Sequence, residues 1–166
     1  MYDELTKVDI EKIQKELDDR CKLRQKLIRD VQTAREFGDL SENFEYKAAK
    51  QEKNRNESRI RYLRRILRTA TVVSAESAPD EVGLFDHVTV YFPDDNDTQI
   101  IQLVTTMRQD AMEGRISKES PLGAALFGHR VGDRLTVQVS DAVSYPIEIR
   151  AIEKGTDDAS LDIRAY

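Results

Sequence analysis

Two carboxylates separated by two residues are the pair in this 166-residue chain best suited to chemistry. Asp39 and Glu42 flank Leu40 and Ser41, directly after Gly38. Held in a tight turn, the pair could bind one hard cation, since Mg²⁺ takes one or two protein carboxylates, keeps several waters and completes its shell with a ligand such as phosphate. The surrounding segment supplies no further convergent set of ligands, so a partner would have to complete such a site.

The same residues also suit the ends of two helices. Gly38 can end one helix in the left-handed conformation, and Asp39 or Ser41 can cap the next, with Glu42 completing a capping box. A cap needs only one carboxylate or hydroxyl, whereas this turn carries two carboxylates. The sequence leaves both interpretations open, caps alone or part of a cation site.

A strongly basic segment follows the carboxylate pair. Residues 44–70 carry nine Lys and Arg against three Glu, in a chain whose net charge is −5. This excess favours a polyanion nearby, although a solvated helix face is the alternative. Phe44 and Tyr46 could stack on a nucleobase, or Phe44 could pack back onto the turn.

Other chemistry is poorly supported by the composition. A single cysteine, Cys21, excludes an internal disulfide and a cysteine-based zinc site within one chain. The two histidines, His87 and His129, have no acid and nucleophile at a recognisable spacing. Residues 123–128 resemble half a phosphate loop but lack its Lys and Ser/Thr. No window approaches the roughly 18 apolar residues of a membrane span, and no signal peptide opens the chain, so we expect a cytoplasmic protein without membrane contact.

The distribution of charge, glycine and proline divides the chain into two parts. Residues 1–70 hold 18 Lys and Arg against 14 Asp and Glu, with one Gly and no Pro, whereas residues 71–166 hold 8 against 17 and all 4 Pro. Apolar residues at three- and four-residue steps predict helices over about 8–36 and 41–70, with a polar interruption at Arg20 and Arg24. Neither apolar stripe is wide, so the helices should pair as a long antiparallel coiled-coil hairpin.

The second part reads as short strands and one short helix. Turn residues separate the strand-like stretches, which predict a small antiparallel β-sheet, and Ser-Pro opens a short helix that Gly128 closes. The fold class is therefore α+β. The predicted domains are a hairpin at residues 1–73 with an acidic tip at 37–43, a linker at 74–82, a sheet domain at 83–154 and a C-terminal tail at 155–166.

Two blocks of sequence resemble a known family. The block GDLSENFEYKAA at 38–49 is similar to the tip motif of the bacterial Gre transcript-cleavage factors, and GRISKESPLGAALFG at 114–128, followed by VGD at 131–133, is similar to the signature of their C-terminal domain. The resemblance covers about residues 5–154 and implies an FKBP-like fold for the second domain. The tip block is closer to GreA-type members, and the arginine-rich run resembles GreB-type ones.

This resemblance implies a function in transcription. The C-terminal domain would dock at the rim of the RNA polymerase secondary channel, and the hairpin would enter the channel toward the 3′ end of a backtracked nascent RNA. Asp39 and Glu42 would hold Mg²⁺ jointly with the polymerase, with no cofactor bound stably by the chain alone. We expect a monomer that is not itself an enzyme but stimulates the RNA cleavage activity of the polymerase.

The resemblance also assigns further residues to three roles. The residues expected to shape the tip are Gly38, Ser41, Asn43 and Tyr46. The lysines expected to contact RNA are Lys47, Lys50 and Lys53, with Lys50 the best single candidate. The residues expected at the polymerase-docking surface are Asp110, Ser120, Pro121, Leu122 and Gly123.

Several positions depart from the family pattern. Asp9 stands where the family has an early glycine, and the tail at 155–166 extends past the usual end. Residues 105–110 keep only Asp110 of a stretch that is usually acidic, with Arg108 and Gln109 directly before it. A Gre-like regulator that occupies the channel and inhibits transcription without cleavage is therefore an alternative function. A coiled-coil chaperone or adaptor, with the tip carboxylates as caps only, is another.

Overall fold

A computed structural model of the chain describes residues 3–38 and 42–165. The chain forms two compact units. Ile10–Ala70 make a helical unit, and the residues up to Asp9 join Thr71–Ala165 in a sheet unit. This grouping differs from the predicted domain bounds, because residues 3–9 and 71–73 belong with the sheet.

The helical unit is the predicted antiparallel hairpin. Helix α1 spans Lys7–Arg35 and helix α2 spans Phe44–Thr69. The apolar stripes predicted from the sequence lie at buried positions. The buried apolar residues of the two helices include Ile13, Leu17, Leu27, Val31, Ala34, Ile60, Leu63 and Ile66. The helix boundaries were less accurate, because α2 begins three residues later than predicted.

Charged pairs fill the polar interruption in the stripe. Arg24 on α1 pairs with Glu57 on α2 through two hydrogen bonds of 2.6 and 3.0 Å. Nearer the base, Arg59 donates to both carboxylate oxygens of Glu16 at 2.7 and 2.9 Å. Burial alone would raise the pKa of Glu16, but hydrogen bonds from Arg59 and Arg20 outweigh it and the pKa is lowered.

A buried asparagine lies between these two charged pairs. Asn56, 3% exposed, donates from Nδ2 to the backbone oxygen of Arg20 at 3.1 Å and accepts from the Arg20 guanidinium at 3.3 Å. Both halves of its amide are therefore used between the helices. Because a slipped register would leave this amide unpaired in a buried position, Asn56 favours a single alignment of α1 with α2.

The sheet unit contains one five-stranded sheet and one pair of short strands. The strands are β1 Glu4–Leu5, β2 Thr71–Val72, β3 His87–Phe92, β4 Asp97–Val104, β5 Arg115–Ser117, β6 Arg134–Gln138 and β7 Ser144–Glu153, and helix α3 spans Pro121–Leu126. The strand order in the large sheet is β5-β4-β3-β7-β6. The expected α+β fold is confirmed, but the sheet is mixed, because β5 runs parallel to β4.

An apolar core lies on one face of this sheet. Alternate residues of β3, Val88 and Val90, are fully buried, as expected for a strand with one covered face. They pack in one cluster with Leu103 of β4, Ile149 of β7 and Leu126 of α3. The short helix therefore covers the sheet and holds the loop before it in place.

The segment after β7 is attached to the same unit. Asp86, 1% exposed, accepts a hydrogen bond of 2.9 Å from the backbone N–H of Gly155 and forms an ion pair with Lys154 at 2.5 Å. An added Cβ at Gly155 would lie 1.9 Å from the backbone oxygen of Phe85, so only glycine fits there. None of the helices in residues 3–38 and 42–165 has the length and hydropathy of a membrane span.

Candidate functional site

The predicted catalytic pair lies partly outside the described residues. Asp39, Leu40 and Ser41 fall between the two described ranges, so the predicted proximity of Asp39 to Glu42 stays a prediction. Gly38 has φ +134, a conformation that favours glycine, and an added Cβ there would meet no neighbour. Glu42 is exposed and precedes the first turn of α2.

Asn43 caps the second helix, which corrects one interpretation of the tip. Its Oδ1 accepts the N–H of Tyr46 at 2.9 Å, and its Nδ2 donates to the backbone oxygen of Ala34 at 2.6 Å. The capping box predicted with Glu42 as its third helical residue is wrong, because Glu42 lies before the N-cap residue. Asn43 thus joins the two helix ends and leaves the Glu42 carboxylate unused by this cap.

Tyr46 is held between two cations at the same end of the hairpin. The Arg35 guanidinium lies 5.5 Å from the ring centroid and the Lys50 ammonium 5.9 Å from it. Hydrogen bonding from Arg35, aided by the charge of Lys50, lowers the pKa of the Tyr46 hydroxyl. Tyr46 therefore links the end of α1 to the first turns of α2, and its role in shaping the tip stays a prediction.

Two phenylalanines at the tip face solvent. Phe44 is 80% exposed and Phe37 is 70% exposed. The interpretation of Phe44 as a residue packed back onto the turn is therefore wrong. The Lys47 ammonium lies 5.6 Å from the Phe44 ring centroid. Phe37 belongs to the tip predicted at 37–43, but nothing in the sequence signalled that its ring would be exposed.

A basic track runs along α2 away from the tip. A groove of about 450 Å³ is lined by Lys47, Lys50, Gln51, Asn54, Arg55 and Ser58. A second groove of about 540 Å³ shares Ser58 and is lined further by Arg61, Tyr62, Arg64, Arg65 and Arg68. Neither lining contains a carboxylate. We call these two grooves together the basic track.

The three lysines predicted to contact RNA do not share one place. Lys47 and Lys50 line the basic track. Lys53 is half-buried, and its charge helps Arg24 to lower the pKa of Glu57. The structure therefore brings two of the three lysines to the groove.

Among the predicted docking residues, Ser120 and Gly123 build a turn, whereas Pro121, Leu122 and Asp110 are at least partly accessible. Ser120 caps α3 by accepting the N–H of Gly123 at 3.1 Å and donates to the backbone oxygen of Ser117 at 2.6 Å. An added Cβ at Gly123 would lie 2.0 Å from that same oxygen, so glycine is required by close packing. Pro121, the first residue of α3, is exposed, and Leu122 is half-buried against the core.

Asp110 lies in the loop between β4 and β5. Its carboxylate accepts the N–H of Met112 at 3.1 Å and pairs with Arg115 at 3.3 Å. The Asp110 side chain is still 42% exposed. Of the predicted docking set, Asp110 and Pro121 therefore offer the most accessible surface.

Two positions that the sequence treated as separate departures contact each other. Arg108 Nε donates to Asp9 Oδ1 at 2.6 Å, and both side chains are 0% exposed. Arg108 also donates to Asp157 and Thr6, and its guanidinium lies 4.8 Å from the centroid of the Phe85 ring. The buried Arg108 side chain thus connects three segments of the sheet unit, those that contain Asp9, Phe85 and Asp157. The signal in the sequence was that Asp9 and the stretch containing Arg108 both depart from the family pattern.

Comparisons with known proteins agree with the two sequence blocks. Residues 4–72 match the family model for the N-terminal domain of transcription elongation factors, and residues 76–154 match the GreA/GreB C-terminal model. The chain is 36% identical over 152 residues to transcription elongation factor GreA of Streptococcus gordonii, covering 90% of this chain and 94% of that protein. The GreA of Streptococcus agalactiae gives the same identity and coverage.

Solved structures of similar sequence include the GreA homologue Gfh1. Gfh1 of Thermus thermophilus is 30% identical, with 93% of this chain and 100% of that chain covered and a TM-score of 0.43. A second structure of Gfh1 gives 30% identity, coverage of 92% and 97%, and a TM-score of 0.46.

Proposed function

Since this chain belongs to the GreA/GreB family of transcription elongation factors, we propose that it stimulates the cleavage of backtracked RNA by RNA polymerase. The observation that carries the proposal is the exposed Glu42 carboxylate. Asn43 supplies the helix cap in its place, so an acidic side chain at Glu42 serves no capping purpose. An exposed carboxylate three residues after Asp39 in the sequence is suited to a cation shared with a partner.

The chemistry of these residues fits Mg²⁺ as a shared cofactor. In the described part of the chain, no group of three or more His, Cys, Asp or Glu side chains is arranged to hold a metal. Two tip carboxylates supply the one or two protein ligands that Mg²⁺ takes, and the polymerase and the RNA phosphate would supply the rest. When bound, Mg²⁺ would stabilise negative charge that develops on the phosphodiester. Asp39 and Glu42 would hold and orient it.

The rest of the chain would deliver this tip to the polymerase. The hairpin would enter the secondary channel while Asp110 and Pro121 contact the channel rim. Lys47 and Lys50 would contact the phosphates of the extruded RNA 3′ end, since they line a groove without carboxylates. The chain would act as a cytoplasmic monomer and would lend ligands to the polymerase without being an enzyme alone.

The alternative of an inhibitor that occupies the channel loses one of its supports. It rested on Arg108 and Gln109, which depart from the acidic pattern near the docking residues. Because Arg108 is fully buried in its ion pair with Asp9, its charge is not presented to a partner. Inhibition without cleavage is accordingly an outcome to be tested.

The test is RNA cleavage in stalled, backtracked elongation complexes with Mg²⁺. The double variant Asp39→Asn/Glu42→Gln should cleave roughly 100-fold or more slowly, the scale seen when charge-stabilising groups are removed. It should still bind polymerase, because the change adds no bulk and Asn43 keeps the cap. Glu45→Gln is the matched control, an exposed carboxylate in the first turn of α2 that should cleave like wild type.

Two results would contradict the proposal. Equal cleavage by the double variant would show that the carboxylates are not used. A wild-type protein that slows nucleotide addition without any cleavage would establish the inhibitor instead.

A further inference from the structure

The tip presents aromatic surface that the cleavage proposal does not use. Phe44 and Phe37 are 80% and 70% exposed, although burying such rings is normally favourable and a polar residue would suit a plain turn. The two residues lie at neighbouring helix ends, since Asn43 next to Phe44 hydrogen-bonds to Ala34, three residues before Phe37. The exposed rings therefore belong to one end of the hairpin.

Phe44 differs from the tyrosines of α2 in having an open ring face. Tyr46 has two cations beside it, Arg35 and Lys50. Tyr62 has Arg59 and Arg65, each 5.3 Å from its centroid. Among residues 3–38 and 42–165, only Lys47 makes such a contact with Phe44. Of the three rings, Phe44 is the one that can accept a planar ligand.

The position of Phe44 identifies that ligand. Lys47 contacts the Phe44 ring and also lines the first groove of the basic track, so the ring lies where the track begins. A cationic groove that follows a phosphate backbone, with an aromatic ring on which a base stacks, is the usual combination in proteins that bind single-stranded nucleic acid. An apolar protein partner would require the rings but not a carboxylate-free track beside them.

We infer that Phe44, with Phe37 at the neighbouring helix end, stacks on the unpaired nucleobase at the 3′ end of the extruded RNA. This inference rests on the proposed function, since it takes its RNA from the backtracked complex. Phosphates along the basic track would bring the terminal base to the Phe44 ring. Stacking tolerates any of the four bases, as a factor acting on arbitrary transcripts requires.

The first experiment detects stacking without cleavage. Backtracked complexes carry 2-aminopurine, a fluorescent base quenched by stacking, at the RNA 3′ end, and the protein carries Asp39→Asn/Glu42→Gln. Adding this protein should quench the fluorescence severalfold. A further Phe44→Ala change should abolish quenching, and Phe44→Tyr should preserve it. Ile100→Ala, another exposed apolar residue at 66%, should quench like the parent protein.

The second experiment separates a base from a protein surface as the partner of the ring. In cleavage assays, Phe44→Ala should raise the protein concentration for half-maximal rate by about 5- to 100-fold, the range expected for one lost base–aromatic stack. With an abasic 3′ nucleotide, wild type and Phe44→Ala should reach the half-maximal cleavage rate at the same protein concentration. Because the Phe44 side chain is largely exposed, its removal should leave the fold intact.

The outcomes are distinct. The same rise on abasic RNA would show that Phe44 packs on the polymerase, and no rise on either RNA would show that the ring has no role; both overturn the inference. Phe44-dependent quenching by a protein that never cleaves would instead support stacking while refuting the cleavage function.

Discussion

The hairpin and the sheet unit are stabilised by different kinds of contact. In the hairpin, apolar layers alternate with charged pairs such as Arg24–Glu57, whose side chains are 29% and 26% exposed. In the sheet unit, a continuous apolar core is accompanied by a buried ion pair, Arg108–Asp9, with both side chains 0% exposed. Partly exposed pairs contribute at most about 1 kcal/mol each, whereas breaking a buried pair costs about 3–5 kcal/mol.

This difference follows from the area that each unit can bury. Two helices with narrow stripes cover little apolar surface, so the hairpin depends on many small polar contacts that also fix its register. The sheet with its covering helix buries enough apolar surface to tolerate expensive buried charges such as Asp9, Arg108 and Asp86, provided that each charge is paired. Single substitutions should therefore lower the stability of the hairpin in small steps, whereas breaking a buried ion pair should lower the stability of the sheet unit sharply.

The largest effect is expected from Arg108→Met. It leaves Asp9 buried without its cation and should lower the free energy of unfolding of the sheet unit by about 3–5 kcal/mol. Urea unfolding with hydrogen exchange of β3 and β4 would measure this loss. Arg150→Met, on an arginine 49% exposed in the same sheet, should cost less than about 1 kcal/mol. The combined variant Asp9→Asn/Arg108→Met should recover part of the lost unfolding free energy. If Arg108→Met cost no more than the Arg150→Met control, the contrast between buried and partly exposed ion pairs would be refuted.

A smaller effect is expected from Asn56→Ala in the hairpin. Removing the amide deletes its two hydrogen bonds to Arg20, each worth about 0.5–1.5 kcal/mol, so the loss should be about 1–3 kcal/mol. The matched control is Asn54→Ala, an exposed asparagine on the same helix that should change stability by less than about 0.5 kcal/mol. Hydrogen exchange in the middle of α1 would report the difference, and equal protection in the two variants would show that Asn56 has no role in pairing.

The cap at the tip should have a still smaller effect. Asn43→Ala removes the acceptor for the Tyr46 N–H and should cost about 1 kcal/mol, concentrated in the first turn of α2. Asn43→Asp keeps that acceptor but loses the donor to Ala34, so its cost should be intermediate. Exchange of the Tyr46 amide, measured in both variants, tests this order.

The smallest effect is the response of the hairpin to acid. The pKa values of Glu16 and Glu57 are lowered in the folded protein, so the unfolded chain binds protons more readily. Their contribution is complete above the ordinary pKa of 4.5 and is lost as the pH falls through the lowered values. Helical circular dichroism during urea unfolding at about pH 6 and about pH 4 should show a lower midpoint in acid. Glu57→Gln should shrink this difference, and an unchanged difference would exclude the Arg24 pair as its source.

The sheet unit contains a carboxyl group with the opposite response. Burial, followed by the charges of Asp3 and Glu4, raises the pKa of Glu119. Its contribution to stability is therefore lost as the pH rises through the raised value, not as it falls. Glu119 should therefore respond to pH with the opposite sign from Glu16 and Glu57.

Much of this architecture could be predicted because it depends on local patterns. The apolar steps gave both helices of the hairpin, and alternation with turn residues gave the strands of the sheet. The start of α2 at Phe44 was missed because Asp39, Ser41 and Asn43 are all good cap residues, and only the contact of Asn43 with Ala34 selects among them. The parallel pairing of β5 was missed because a three-residue strand carries no signal of direction.

For the candidate site, the sequence proposes which residues take part but not how they are arranged, and their roles stay predictions. Residue types and spacing pointed to Asp39 and Glu42, and their joint geometry stays a prediction. The burial of Arg108 could not be predicted, because an arginine beside docking residues is usually exposed and its partner Asp9 lies 99 positions away. Exposure of Phe37 and Phe44 was equally hidden, since sequence cannot tell whether an aromatic residue packs onto its own turn.

The pairing of β1 with β2 has a consequence for the order of events during synthesis. The sheet unit is discontinuous in sequence, because Glu4 pairs with Thr71 and Asp9 forms its ion pair with Arg108. Neither contact can form until the later residue has been synthesised. The hairpin is continuous, and its helices are complete before most of the sheet has left the ribosome. A domain that must close over so long an insertion has a high contact order and folds slowly. We therefore expect the first residues of this chain to be the last to find their place.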